Sequence, residues 1–528
     1  MTVRDSLGFS GTTGFTWTVN GPPSITTTSL PAATEGVAYS TTLEATGGSV
    51  PYTWTLTAGT LPAGLSLDAA TGVISGTPTA SGVEGLTVTV TDAAALSSTA
   101  DLTLTVSQPG PYTAVAPVRI CDTRAGNPSD LTGPAAQCNG VADAGERLTA
   151  YTPLTITVAG EFAVPSDATA VVLNVTAVDA TARGYLTVYP GGNAIPTASN
   201  INVRPDQRVA NLVETGVGTA EHVSVVANTP MDVVVDLEGY VTPVPEGGAG
   251  LYNALPSPVR ICDTRAGNPS GLSGGDAQCN GVADAGKRLA AGGVLDVTVD
   301  GDGGVPATGV SAVVLNVTAV GPAAAGYVTA YPEGTAAPTA SNLNYGTDET
   351  LPNRVIVPVS ATGEISLTAN QATDLVVDVS GWFTSAGGTG SQYTAQATPV
   401  RICDTRADNP SGLTGAEAQC NGTDDAGEPL GAGHTLTINV AGIAGVPSDA
   451  TAVVLNITAV GATQQTHLTV YPSGTPPIIS DLNPNASGVE TNLVVARVSD
   501  TGTVDIYNYT GSVNVVVDSE GWYSVPTT

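Results

Sequence analysis

Basic residues are scarce in this sequence. Fifteen Lys and Arg stand against 46 Asp and Glu, the net charge is −31, and Lys287 is the only lysine. A chain of that sign repels phosphate backbones and anionic lipid, so neither nucleic acid nor a membrane surface is expected as a partner. Long apolar runs are missing as well. None approaches the ~20 residues needed to span a bilayer as a helix, and residues 1–20 lack the basic-then-apolar pattern of a secretion signal. Apolar residues at helical spacing are interrupted by Gly or Pro in nearly every window, which argues against long helices. Aromatics make up 5% of the chain and histidine is limited to His222, His434 and His467, so residue types common in catalytic and metal sites are thinly supplied.

What is abundant points to short strands. The 528 residues include 63 Gly and 37 Pro, and 41% are hydrophobic, with Thr, Val and Ala prominent. β-branched side chains suit pleated surfaces, while Gly and Pro supply the turns between them. A chain of this length exceeds a single core and divides into domains. The expected fold class is all-β: tandem antiparallel β-sandwiches.

One stretch organises most of the chain. Pro117-Val-Arg-Ile-Cys-Asp-Thr-Arg-Ala-Gly-Asn-Pro128 returns almost unchanged at 258–269 and 399–410, and each copy is followed by a second cysteine, Cys138, Cys279 or Cys420. The spacing is constant, so one module is written three times, at 111–245, 251–385 and 393–528. Glu246-Gly-Gly-Ala-Gly250 and Ala386-Gly-Gly-Thr-Gly390 read as short flexible joints between them. In the first copy the pattern predicts strands over 115–122, 154–158, 170–178, 184–189, 199–203, 210–217, 223–227 and 231–240. Eight strands suit a two-sheet sandwich or jelly-roll whose first and last strands meet. Alternation over 171–177 puts Val171, Leu173, Val175 and Ala177 on one face, and Asn174 and Thr176 on the other. Asn316 and Asn456 repeat this placement. A slip of one residue would bury the asparagines, so the register is expected to be strongly fixed.

Residues 24–107 form a different domain, with strands predicted over 39–45, 52–57, 65–68, 73–77, 85–91 and 100–106, and turn formers between them. Its segment Leu61-Pro-Ala-Gly-Leu-Ser-Leu-Asp-Ala-Ala-Thr-Gly-Val-Ile-Ser-Gly-Thr-Pro78 resembles the signature of an immunoglobulin-like family of bacterial surface proteins, related to cadherin-like folds. That resemblance implies a spacer or adhesion module and no chemistry. Residues 1–19 align without a gap on 88–106, the last two strands of this domain, with Thr2 on Thr89, Asp5 on Asp92 and Val19 on Val106. The chain is therefore expected to open on the end of an earlier domain of the same kind (residues 1–23, with a linker), and a secretion signal is expected upstream. Orphaned strands of that sort leave edges that invite pairing with another chain.

The three long modules resemble a repeat of secreted actinobacterial proteins, carried by Asp-Thr-Arg near the start and Val-Asp-Val-x-Gly-Trp-Phe near the end. Here the ending reads Val235-Asp-Leu-Glu-Gly-Tyr240, Val377-Asp-Val-Ser-Gly-Trp-Phe383 and Val517-Asp-Ser-Glu-Gly-Trp-Tyr523. The resemblance implies a location outside the cell and assigns no activity.

Six cysteines in three equal Cys-x16-Cys pairs predict a local disulfide per module: Cys121–Cys138, Cys262–Cys279 and Cys403–Cys420. Closing a loop of that length is worth about 3 kcal/mol in the chain-entropy model, and such bonds persist outside the cytosol. Two thiols without a repeating histidine make a poor zinc site. A second recurring set is Asp122, Arg124 and Asp236, then Asp263, Arg265 and Asp378, then Asp404, Arg406 and Asp518. Beside them stand Arg119, Arg260 and Arg401, with Asp143, Asp284 and Asp425. Paired carboxylates are the tools of glycoside hydrolysis, but a forked arginine tying the first strand to the last is the preferred reading. The histidines occupy non-equivalent positions, so they form no repeated site. Asp300-Gly-Asp302-Gly-Gly304 reads as an acidic turn rather than a calcium loop. Asn-x-Thr at 174, 316 and 456 falls inside strands, where β propensity explains it better than glycosylation.

Together these features predict a non-enzymatic extracellular or cell-surface protein, a multidomain stalk for adhesion, display or envelope structure. No cofactor or metal is expected. The expected partners are other surface proteins or glycans, with self-association possible through the N-terminal strands at 2–5 and 14–19. One alternative is the carbohydrate-binding tail of a secreted hydrolase, with Trp382 or Trp522 as an exposed platform. Another is a subunit of an extracellular filament or phage tail appendage, in which the N-terminal strands complete a neighbour's sheet.

Overall fold

A computed structural model describes the chain apart from residues 1, 5, 13–20, 29, 31–32, 35–38, 80–81, 108–109, 139–145, 197, 206, 219–220, 243–248, 280–286, 386, 421–427 and 526–528. The protein is all-β, with helix confined to short 3₁₀ turns such as Gly133–Ala136. It divides into two compact units, Met1–Ser107 and Gln108–Thr528.

In the first unit, Thr53–Ala58, Gly82–Thr91, Ser97–Ser107 and Ala33–Thr34 form a four-stranded sheet. Tyr39–Thr42, Val73–Gly76 and Leu65–Leu67 form a three-stranded sheet. Trp54, Ile74, Val88, Val90, Leu102 and Leu104 are buried together in its core. The N-terminal hairpin pairs Thr2 with Thr12 and Arg4 with Ser10. That is the register of the segment it aligns with, where Thr89 faces Thr99 and Thr91 faces Ser97. The expected strand at 14–19 lies outside the described residues.

In the second unit each repeat is a sandwich of two antiparallel sheets. The first sheet of repeat one takes its opening strand Tyr112–Asp122, closing strand Asp232–Val241, central strand Ala170–Val178 and edge strand Val209–Gly216, in that order. Its second sheet orders Leu154–Thr157, His222–Ala227, Gly184–Pro190 and Ile201–Val203. Repeat two follows the same plan, and repeat three keeps three strands in its second sheet. The opening and closing strands pair, bringing Arg119 opposite Asp236. Leu173, Val175, Val213, Val235 and Leu237 point between the two sheets into the repeat's own core.

The opposite face of each first sheet is also covered. Val172, Leu212 and Tyr112 of repeat one, Val314, Ile356, Tyr252 and Phe383 of repeat two, and Val454, Leu493, Tyr393 and Tyr523 of repeat three make one shared apolar cluster. Backbone bonds close the arrangement into a ring. Tyr112 N donates to Gly250 O (2.8 Å), Tyr252 N to Ser391 O (2.8 Å) and Tyr393 N to Gly110 O (3.1 Å). Each repeat's first tyrosine is thus bonded to the segment that enters the next repeat, and the third is bonded to the entry of the first. Three sandwiches in series on loose joints do not describe this unit. The physical reason is that each repeat has a second apolar face, which leaves water only by meeting the other two.

The Gly of each Asp-x-x-Gly ending is required at this junction. Gly239, Gly381 and Gly521 lie beneath the Tyr112, Tyr252 and Tyr393 rings, well inside van der Waals contact of where a Cβ would stand. Gly381→Ala should displace the Tyr252 ring and lower stability by about 1–3 kcal/mol. Calorimetry of the full chain should show residues 108–528 melting in one transition, shifted downward as a whole by that substitution. Three separately shifting transitions would contradict the shared core.

Candidate functional site: the interfaces between the repeats

The Asp-Thr-Arg motif builds a closed cluster of charges beside the staple. Cys121 is bonded to Cys138, Cys262 to Cys279 and Cys403 to Cys420, with Cα–Cα separations of 5.2, 5.1 and 5.1 Å. Arg119 grips Asp236 with Nε on Oδ1 (2.8 Å) and Nη2 on Oδ2 (3.0 Å), and its Nη1 donates to Ser129 Oγ (3.1 Å). Arg260 holds Asp378 and Arg401 holds Asp518 in the same way. These arginines tie the opening strand to the closing strand. Arg124, Arg265 and Arg406 instead turn back onto Asp122, Asp263 and Asp404, two residues earlier, through pairs of hydrogen bonds. Burial works against the charge on Asp122. The Arg124 and Ser129 hydrogen bonds outweigh it and hold the carboxyl below its usual range. Asp143, Asp284 and Asp425 lie outside the described residues.

Asn174, Asn316 and Asn456 are fully buried, which departs from the expectation that a slipped register would be needed to bury them. The outer face of the first sheet is an interface, and these side chains are its connectors. Asn316 Nδ2 donates to Ser480 O (2.8 Å), and its Oδ1 accepts from Asn492 Nδ2 (3.0 Å). Asn492 Nδ2 also donates to Asp481 O (2.7 Å), and its Oδ1 accepts from Arg354 N (3.2 Å). The same pattern joins repeat one to two through Asn174 and Asn353, and repeat three to one through Asn456 and Asn211. A carboxamide donates and accepts at short reach. Aspartate would lack the donors, and leucine would strand the neighbour's polar groups. Buried this way, Asn174, Asn316 and Asn456 offer no acceptor for a glycan.

Three coupled columns break the threefold pattern at one interface. Where repeats one and three have Leu212 and Leu493, repeat two has Arg354. Where they have Glu238 and Glu520, it has Ser380. Asn200 and Asn342 correspond to Asp481 of repeat three. The three departures meet: Arg354 Nη2 bonds Asp481 Oδ1 (2.8 Å), Nη1 bonds Ser380 Oγ (2.9 Å) and Nε bonds Leu493 O (3.3 Å), all buried. At the other two interfaces a neutral asparagine meets a glutamate instead, Asn342 on Glu238 and Asn200 on Glu520 (3.0 Å). The repeats are thereby keyed to their positions in the ring. No feature of a single repeat pointed to this, although comparing the copies column by column would have exposed the three coupled changes.

An aromatic collar closes one end of the shared cluster. Tyr112 lies 4.5 Å from Phe383 and Tyr252 lies 4.3 Å from Tyr523, centroid to centroid. Glu214 is buried beside it and accepts from Tyr523 Oη (3.2 Å). Burial pushes the Glu214 carboxyl up to about 8 against the pull of Tyr523 and Arg354. Glu238 and Glu520 are raised well above their usual value, first by burial and then by neighbouring aspartates. Trp382 packs against the core of its own repeat, and Trp522 is buried to 3% exposure. Neither tryptophan is an exposed platform, because the closing strand turns it inward while its neighbour, Phe383 or Tyr523, joins the collar. His467 is stacked on Tyr509 at 4.6 Å, and burial lowers its pKa. Among the described residues no cluster of three or more His, Cys, Asp or Glu is placed to hold a metal ion.

Two outcomes follow from this geometry. Arg354→Leu alone strands the Asp481 carboxylate and should cost about 3–5 kcal/mol in denaturant unfolding. Adding Ser380→Glu and Asp481→Asn copies the other interfaces and should recover most of the loss. The second outcome concerns pH. A carboxyl raised in the folded state keeps its proton where the unfolded chain has released it, so the stability it contributes is full below its unfolded value and lost as pH rises. For Glu214 that window runs from its ordinary value of 4.5 to about 8. Asp122 and its equivalents act oppositely, losing their contribution as pH falls below the ordinary aspartate range. Stability should therefore peak in mild acid, and Glu214→Gln should flatten its decline between about pH 5 and 8 when unfolding is followed across pH.

Comparison with known proteins adds a family for the first unit. Residues 22–107 match the family described as Putative Ig domain. No curated protein matches the chain. Among solved structures, a candidate α-galactosidase/melibiase from Bacteroides fragilis is 22% identical over 17% of this chain and 19% of its own, with a TM-score of 0.15. The CBM51-2 and INT domains of Clostridium perfringens ZmpB, solved with GlcNAc, are 12% identical over 42% of this chain and 48% of theirs, at TM-score 0.16. The Bacteroides ovatus mixed-linkage glucan locus protein SGBP-B, solved with a heptasaccharide, is 9% identical over 95% of this chain and 100% of its own, at TM-score 0.13. The chain thus spans about a fifth of the first of these and about half of the second. Scores this low do not establish a common overall fold. The first unit therefore contains an Ig-like domain, and it is followed by three disulfide-bonded repeats joined in a ring.

Proposed function

We propose that this chain is a non-enzymatic extracellular surface protein in which an Ig-like domain precedes a rigid head built from three repeats. The observation that carries the reading is the closed interface. Asparagines 174, 316 and 456 and the keyed Arg354–Asp481 pair use buried polar groups to hold one fixed geometry. Such investment suits a display or adhesion surface, which must present the same contour to every partner. Three disulfides and the Ig-like domain support a location outside the cell. The motif carboxylates favour a structural role over catalysis, since each of Asp122 and Asp236 is engaged by two guanidinium nitrogens. A general acid or base must have a proton it can exchange with substrate. The stalk gives way to a head of one compact unit.

The test incubates the full chain with cell-surface polysaccharides and peptidoglycan, scoring co-sedimentation and soluble products by mass spectrometry. Retention without products is expected. Products that accumulate with time and with protein concentration would overturn the non-enzymatic reading.

A further inference from the structure

The repeats differ most usefully at one cleft. It lies between repeats one and two, has a volume of about 760 Å³, and is lined by Asp179, Arg204, Gln207 and Arg208 of repeat one and by Tyr327, Tyr345, Glu349 and Asn370 of repeat two. The columns of the repeat show that this chemistry is not part of the shared scaffold. Arg204 corresponds to Gly346 and Asn485, Arg208 to Thr350 and Val489, and Tyr345 to Val203 and Pro484. Among the described residues, nine arginines are held by aspartates. Arg204 and Arg208 are not among them, and both line this cleft; Arg204 also exerts its charge on Glu490 of repeat three.

The hydrogen bonds already made decide what the cleft has left to offer. Gln207 Oε1 is occupied by Arg204 N (3.1 Å), Glu349 Oε2 by Gly346 N (2.6 Å) and Asn370 Oδ1 by Tyr327 N (2.7 Å). These contacts use acceptors and leave the Gln207 and Asn370 amide N–H groups, beside the two donor-only guanidinium groups, as donors. Glu349 Oε1 and the Asp179 carboxylate remain as acceptors. Tyr345 is anchored through its hydroxyl to the Tyr327 and Gln371 carbonyls (3.3 and 3.2 Å), while Tyr327 is 39% exposed. A simple anion would use the arginines and ignore the carboxylates and the ring. A neutral sugar would use the ring and the carboxylates and leave the bidentate geometry of the guanidinium groups unused.

We infer that this cleft binds an acidic saccharide, whose carboxylate is held by Arg204 and Arg208, whose hydroxyls donate to Asp179 and Glu349, and whose ring lies on Tyr327. Forked guanidinium groups match a carboxylate in geometry as well as charge, and an aromatic face offers an apolar platform with a polar rim. The inference goes beyond the rigid-head reading and does not require it.

The test is calorimetric titration of the full chain with a trigalacturonate and a hyaluronan tetrasaccharide, against maltotetraose and a hexaglutamate peptide. At least one uronate oligosaccharide should bind, at least tenfold more tightly than maltotetraose or the peptide, and more weakly as salt rises. The Arg204→Ala/Arg208→Ala variant should lose at least tenfold in affinity, and Tyr327→Ala about fivefold, with the melting temperature of residues 108–528 unchanged. All these substitutions are on the cleft surface, so unaltered melting separates lost binding from lost folding. No binding of either uronate would overturn the inference. Equal binding of hexaglutamate that survives Tyr327→Ala would overturn it too, in favour of an acidic peptide.

Discussion

Everything in the larger unit depends on covering a sheet face that carries asparagine at its centre. Asn174, Asn316 and Asn456 sit amid valine and leucine, where an unpaired carboxamide is costly and a solvated one would leave those apolar neighbours wet. Only a surface bearing its own matched polar groups can cover such a face. The neighbouring repeat provides it, through Asn353, Asn492 and Asn211 and the carbonyls beside them. Three copies of one directional interface must close or run on as a fibre, and closure follows here because the third copy returns to the first.

Closure also explains residues that otherwise look unrelated. The glycine of each closing motif makes room for the tyrosine of the opening strand, and that tyrosine belongs to the collar at the centre. The two residues that follow divide their work: Tyr240 and Trp382 pack against their own repeat's core, while Val241, Phe383 and Tyr523 enter the shared one. The disulfide and the Arg–Asp clusters sit at the start of each repeat, where a turn-rich loop with little core of its own is held by covalent and bidentate contacts instead.

Exact threefold repetition would let the copies pair in any order. The Arg354, Ser380 and Asp481 substitutions change charge and shape together at one of three interfaces, so a mispaired repeat would bury an arginine without its acid or two carboxylates without a cation. The cost of burying ions is thereby turned into a specification of order. The raised carboxyls of Glu214, Glu238 and Glu520 come from the same crowding of polar groups at a dry centre.

Much of this was legible in the residues alone. Strand positions, the antiparallel sandwich, the pairing of first and last strands and the even set of cysteines all follow from local alternation, turn formers and spacing, which are properties of neighbours in sequence. The Ala-Val-Val-Leu-Asn-Val run also carried an unread clue: apolar residues on both faces mark a sheet covered on both sides. The ring itself, the division of labour by which Arg119 ties the strands while Arg124 turns back onto Asp122, and the inward turn of Trp522 came only with the tertiary structure. Local pattern says which face of a strand is apolar. Which distant surface covers that face depends on side chains more than a hundred residues apart meeting in three dimensions, and nothing in the spacing of one repeat encodes that meeting.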